Sequence, residues 1–216
     1  MLLIIDTTGR LLAFGLYDEP AGPVFRHVED APMRQVERLF PALTETLARH
    51  RIDRTAITRV AAITGPGSYT GIRAGLAAIL GLALALDVPA LGIGGLEALA
   101  QAAGDHGLKP PFLVALPVGR GRYAARLVLS CPLPPAANEQ DVAWVEAHRL
   151  RDVARGHPLV LAAEAEEDTQ PPADLRLPIA ARLDAAAQLL WEAEPADRPA
   201  KPLYLRPVQI GPAGRS

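Results

Sequence analysis

The chain has 216 residues, half of them hydrophobic and 21% charged, with a formal net charge of −2. That share of apolar residues builds one compact unit or two small lobes, and the near-neutral balance disfavours a protein that grips nucleic acid alone through a basic face. A single cysteine, Cys131, excludes an intrachain disulfide and a cysteine-rich metal site, and it fits a reducing compartment.

Leu2–Ile5 is an apolar run with no basic region before it, so it reads as a strand and not as a signal peptide. Leu11–Tyr17 is a second strand, joined to the first by the hairpin signal Asp6-Thr7-Thr8-Gly9-Arg10. Val24–Val28 follows as a third. Val36, Leu39, Phe40, Leu43 and Leu47 fall at helical spacing, with Pro41 inside the stripe, so a helix there must kink at Pro41 or begin close to it. Arg59–Thr64 reads as a strand, Ile72–Leu86 as a helix, Pro89–Ile93 as a strand and Gly95–Ala103 as a helix. The longest apolar stretch, Ala74–Leu86, is shorter than the ~20 residues of a membrane helix, which makes a soluble cytoplasmic protein the expectation. Strand-strand-strand-helix-strand-helix-strand-helix is the order of a ribonuclease-H-like unit, the repeated half of actin-like kinases.

Pro110-Pro111 marks a boundary, giving a first lobe at 1–109 and a smaller second lobe at 110–216 whose tail returns to the first. Phe112–Val118 and Tyr123–Leu129 read as strands around Gly119-Arg120-Gly121-Arg122, with weaker strands at Val142–Val145 and Leu159–Ala162. Ala180–Ala193 is an amphipathic helix whose buried side is Leu183, Ala186, Leu190 and Trp191. Prolines 195, 199, 202 and 207 keep the tail extended. The basic cluster Arg120, Arg122, Arg126 and the acidic run Glu164–Asp168 read as solvated surface.

The densest signal is Ile63-Thr64-Gly65-Pro66-Gly67-Ser68-Tyr69-Thr70-Gly71-Ile72-Arg73, a strand end, a glycine-rich turn and a helix start. Two readings stand side by side. The helix N-terminus is a preformed anion site, with Ser68 or Thr70 as N-cap and Asp6 and Thr7 nearby. Alternatively, the glycines only let a capped helix pack closely. The spacing is neither Gly-x-x-x-x-Gly-Lys-Ser/Thr nor Gly-x-Gly-x-x-Gly. Independent catalysis finds little support. Asp6 ends the first strand where a two-metal nuclease needs a carboxylate, but the fourth strand ends in Thr64. Pro117-Val118-Gly119-Arg120 offers an actin-like kinase no second-lobe carboxylate. His27, His50, His106, His148 and His157 are scattered, and the glycines around Ser68 do not fit Gly-x-Ser-x-Gly.

Gly65-Pro66-Gly67-Ser68-Tyr69-Thr70-Gly71-Ile72-Arg73 resembles the signature of the bacterial TsaB family. Ile4-Ile5-Asp6-Thr7-Thr8 resembles that family's opening, Glu37-Arg38-Leu39-Phe40-Pro41 its first-helix motif, and Pro202-Leu203-Tyr204-Leu205-Arg206 its closing motif. The resemblance is strong over Ile57–Gly95 and weak between Ser130 and Asp197. It departs at Gln35-Val36, where members usually carry His-Ser, and at Pro117–Arg122, where they carry an Asp-Ala-Arg-Arg-Gly-Glu-like turn.

The resemblance implies an α/β, actin-like two-lobed fold with a reduced second lobe, and no catalytic or metal-binding residue of its own. It implies a subunit that pairs with a TsaD-type catalytic subunit and a TsaE-type ATPase and meets tRNA through the complex; alone, both a monomer and a homodimer stay open. The interface residues would be Val36, Leu39, Phe40, Leu43, Arg73, Ala74, Ala77, Ala78 and Gly81, on two helices. Asp6, Thr7, Gly65, Gly67, Ser68, Thr70 and Gly71 are the candidates for an anion or nucleotide, with ATP or ADP at an interface as the conceivable cofactor. The competing class is a nucleotide-using enzyme of actin-like fold, a small-molecule kinase, or a protease-like hydrolase.

Overall fold

A computed structural model describes residues 1–18, 22–135, 142–163 and 171–203. The first sheet has the order β3 (Gly22–Asp30), β2 (Leu11–Asp18), β1 (Leu2–Asp6), β4 (Arg59–Ile63), β5 (Ala90–Ile93). β1 pairs antiparallel with β2, Leu2 opposite Tyr17, and parallel with β4, Leu2 opposite Arg59. Parallel β4 and β5 are joined through α2 (Tyr69–Leu86), as a parallel pair requires a crossover. The second sheet repeats this plan. Its order is β10 (Leu175–Pro178), β9 (Leu159–Ala163), β6 (Phe112–Pro117), β7 (Arg122–Val128), β8 (Ala143–Glu146), with β6 antiparallel to β7 and parallel to β9. Two copies of one ribonuclease-H-like topology make the fold actin-like. Only a five-residue helix, α4 (Leu150–Ala154), follows β8, where the first unit has the 15-residue α1 (Gln35–Arg49).

Strand boundaries follow the apolar runs within one or two residues. β1 is buried on both faces, because helices cover both. On one side Leu3, Ile5 and Phe14 meet Leu39 and Leu43 of α1 and Ile72, Leu76 and Ile79 of α2. α1 runs through Pro41, which sits on its exposed side and is neither its start nor its end. α2 is 18 residues long with mean hydropathy 1.6, so by length and composition it passes for a membrane span. It exceeds the stretch read from sequence because the helix begins at Tyr69, and its Ile72, Leu76 and Ile79 side lies in the core of the first sheet.

The other face of the first sheet is closed from far along the chain. Leu2, Ile4, Ala61 and Ile63 pack against Ile179, Leu183, Ala186 and Leu190 of α5 (Ile179–Leu190), the helix that follows the second sheet. Conversely α3 (Gly95–Asp105), which follows the first sheet, puts Leu96, Leu99 and Ala103 against Phe112 and Val114 of the second. Each lobe therefore lends a helix to the other, and α3 and α5 lie against each other between the sheets. Trp191 is only half-buried at the end of α5, and β10 is a strand that the sequence did not announce.

Candidate functional site

Asp6 ends β1 and is fully buried. Its Oδ1 accepts from the Thr8 amide at 2.9 Å and the Thr8 hydroxyl at 2.7 Å, an Asx turn that folds the chain into the β1–β2 hairpin. Its Oδ2 accepts from Arg182, Nη2 at 2.6 Å and Nε at 3.1 Å. Arg182 comes from α5 and is itself 1% exposed. Asp6 is thus more than the turn residue expected from sequence: its charge is already balanced by a guanidinium from the far end of the chain. Arg182 escaped sequence reading because a charged residue on an amphipathic helix is expected at its solvated face. The available signal was its position beside Leu183 in the stripe Ile179, Leu183, Ala186, Leu190.

The glycine-rich turn packs directly on that hairpin. The Ser68 amide donates to the Thr8 carbonyl at 2.7 Å, and the Thr7 hydroxyl donates to the Gly71 carbonyl at 2.7 Å. A Cβ on Gly67 would stand 2.3 Å from the Thr8 carbonyl oxygen, and one on Gly71 2.0 Å from that of Thr7. Such separations are impossible, so these glycines exist to admit backbone. Ser68 is the N-cap of α2, accepting from the Gly71 amide at 3.3 Å, while the Ile72 amide donates to the Ser68 carbonyl. Thr70 lies inside the first turn. Three of the amides that an anion would use, those of Ser68, Gly71 and Ile72, are therefore engaged within the chain.

Of the seven anion candidates, Asp6, Thr7, Gly67, Ser68 and Gly71 form this one packed knot. Gly65 lies behind it, at φ +117°, with its Cβ position 3.0 Å from the Leu203 carbonyl oxygen of the tail. Ser68 and Thr70 also border a cleft of about 510 Å³ between the lobes, with Thr8–Arg10, Gln35 and Val36 on one bank and Pro117–Gly119 on the other. Gln35, where the TsaB family usually has His, pins the hairpin by donating its side-chain amide to the Gly9 carbonyl at 2.8 Å. Among the described residues that line the cleft there is no carboxylate.

The helix residues divide cleanly. Val36, Phe40, Arg73, Ala77 and Gly81 are exposed, Ala74 is half-buried, and Tyr69, Leu80 and Leu84 extend the exposed apolar stripe. Leu39, Leu43 and Ala78, expected at the interface, instead belong to the core of the first sheet at 5% exposure or less. The stripe pattern alone could not separate the side that meets the sheet from the side that meets solvent.

Other charged groups serve structure. Arg122 stacks over Trp144 at 5.8 Å and Arg126 donates to the Pro134 carbonyl at 2.6 Å, so only part of that basic cluster is simply solvated. The run Glu164–Asp168 and the motif residues Tyr204–Arg206 lie outside the described residues. Burial pushes the Tyr17 phenol upward, reinforced by Asp184, to which it donates at 3.0 Å. Burial likewise raises the Glu97 carboxyl above its usual range, against the opposing pull of Arg198.

A doubled ribonuclease-H-like fold with its strand-end acid ion-paired and its glycine turn packed on its own hairpin defines an actin-like protein whose first-lobe loop is built for packing. Residues 29–125 match the family described as TsaD, tRNA N6-adenosine threonylcarbamoyltransferase. The tRNA threonylcarbamoyladenosine biosynthesis protein TsaB of Escherichia coli is 33% identical over 102 residues, 47% of this chain and 43% of that protein. Its Bacillus subtilis namesake is 29% identical over 174 residues, 77% of this chain and 75% of that protein. The solved structure described as YeaZ from Pseudomonas aeruginosa superposes with a TM-score of 0.67 at 22% identity, covering 94% of this chain and 99% of that one. The chain is thus similar in sequence to the TsaB proteins and in fold to YeaZ. Its match to the Escherichia coli relative spans less than half of that protein's length.

Proposed function

We propose that this protein is a cytoplasmic, non-catalytic scaffolding subunit in the formation of threonylcarbamoyladenosine on tRNA. It pairs through α1 and α2 with a TsaD-type catalytic subunit, with a TsaE-type ATPase joining the assembly and tRNA engaged through the complex. The observation that carries the reading is the unpartnered face of these helices. Val36, Phe40, Leu80 and Leu84 stand 47–87% exposed, with small Ala77 and Gly81 between them. Apolar side chains flanking small residues let a second helix approach closely, and burying such a face is what drives association. The same face pairs two copies when the partner is absent. Asp6 supports the non-catalytic part of the reading, because its charge is spent on Arg182. A nucleotide, if one is used, belongs at the interface of the assembly and not on the packed glycine turn.

Ala77→Glu tests the surface. It places a charge in the proposed interface without touching the core, so the variant should fold normally and lose copurification with the catalytic subunit. Ala78→Glu is the wrong probe, since Ala78 is buried and its variant should fail to fold. In a reconstituted mixture, omitting this chain should abolish or sharply reduce product, and the chain alone should make none. Retained association by folded Ala77→Glu would overturn the interface.

A further inference from the structure

Beyond α5 the chain turns back and crosses both the edge of the first sheet and the root of the glycine turn. The Gly92 amide, on the outer edge of β5, donates to the Arg198 carbonyl at 2.9 Å, and Leu91 and Pro199 form an antiparallel bridge. The Leu203 amide donates to the Thr64 carbonyl at 2.9 Å. Two glycines make room for this crossing. A Cβ on Gly92 would stand 2.6 Å from the Pro199 carbonyl oxygen, and one on Gly65 would meet that of Leu203 at 3.0 Å. The crossing segment is fastened by one ion pair, Arg198 on the buried carboxylate of Glu97 at the start of α3. Arg126 of β7 and the Gly94 backbone also favour the ionised form of that carboxylate.

The glycine turn is thus held on two sides. The β1–β2 hairpin holds Gly67, Ser68 and Gly71, and the tail holds Thr64 and Gly65. The hairpin is part of the core, whereas the tail grips through two backbone hydrogen bonds, the partly buried Ala200 and Leu203 and one side-chain lock. We propose that residues 198–203 are a releasable strap, locked by Arg198 on Glu97, that sets the position of the glycine turn and of the first turn of α2. Lifting the strap uncovers the β5 edge and loosens the chain from Thr64 to Ser68, so an event at the C-terminal end changes α2 without touching its exposed face. The strap is defined by contacts within the chain, so it stands or falls independently of the partner reading.

Hydrogen exchange on the full chain, without partner, tests it. Arg198→Met strands a buried carboxylate that regains water most readily by lifting the strap. The Gly92 and Leu203 amides should then exchange about tenfold faster or more, the Ser68 amide should follow, and the β6 amides should stay protected. Adding Glu97→Gln removes the stranded charge and should restore part of that protection. Gly92→Ala puts a Cβ 2.6 Å from the Pro199 carbonyl oxygen and 2.7 Å from the Thr64 methyl without touching the ion pair, and should likewise speed exchange at Gly92 and Leu203. It decides the matter if Arg198→Met unfolds. Unchanged exchange at Gly92 and Leu203 overturns the lock, and fast strap exchange with Ser68 still protected overturns control of the turn.

Discussion

Arg182→Met is the substitution whose cost follows most directly from this structure. It removes a guanidinium that is 1% exposed and leaves the Asp6 carboxylate fully buried without its cation. Two donors from Thr8 remain, but they balance hydrogen bonding at Oδ1 and not the charge at Oδ2. Breaking a buried pair from one side costs about 3–5 kcal/mol, which for a chain of this size lowers the melting temperature by roughly 6–20 °C. Met retains much of the aliphatic volume, so little of that loss comes from a cavity. Asp6→Asn alone should be costly for the mirror reason, because it leaves Arg182 buried with a neutral partner. The double variant Asp6→Asn/Arg182→Met should recover about 2 kcal/mol or more, since an amide still accepts from Thr8 and no bare charge remains. Urea unfolding of the four proteins, followed by circular dichroism, gives the cycle. A loss below about 1 kcal/mol in Arg182→Met, or a double variant no more stable than either single one, would refute the argument that a buried charge pair joins α5 to β1.

Gly71→Ala should destabilise the fold by about 1–3 kcal/mol, because its Cβ would lie on the Thr7 carbonyl oxygen, whereas Gly81→Ala meets nothing within 4 Å and should be neutral or slightly stabilising in the same denaturation assay. A chain ending at Lys109 should not fold cooperatively, since Leu2, Ile4, Ala61 and Ile63 lose the cover of α5; a sharp thermal transition from that fragment would contradict the exchange of helices between lobes. For Glu97 the folded value is raised, so the folded state holds the proton more tightly than the unfolded chain does. The ionised form therefore costs stability above that value, and the cost is relieved as pH falls through it. Glu97→Gln should accordingly compare best with the parent near pH 7 and lose that relative advantage on acidification, as read from unfolding midpoints across pH.

The fold was legible because its signals are local and strong. Apolar runs of four to eight residues in β1, β2 and β4 could be placed directly, and so could the helix that follows the glycine-rich turn. Their order pointed to one ribonuclease-H-like unit, and the two-lobe plan came from the resemblance to the TsaB family. β10 was missed because Leu175–Pro178 carries an arginine and ends in proline, so it looks like neither a buried nor an alternating strand. For the candidate site, the sequence singled out Asp6 and Thr7 with the glycine-rich turn, residues that the structure packs together, and left their meaning divided between binding and packing. The Cβ separations show that Gly67 and Gly71 admit the hairpin backbone, a close approach that no residue pattern records.

The sequence by itself determined nine of the ten strands, the four long helices and the presence of an apolar stripe on α1, because those depend on periodicity within one segment. Which side of α1 and α2 faces solvent, which helix closes which sheet, and what neutralises Asp6 were decided only in three dimensions. Each of these joins residues far apart in the chain, Asp6 with Arg182, Arg198 with Glu97, Leu203 with Thr64. Such pairs leave no spacing signature, since the energy that selects them arises only when folding removes both partners from water.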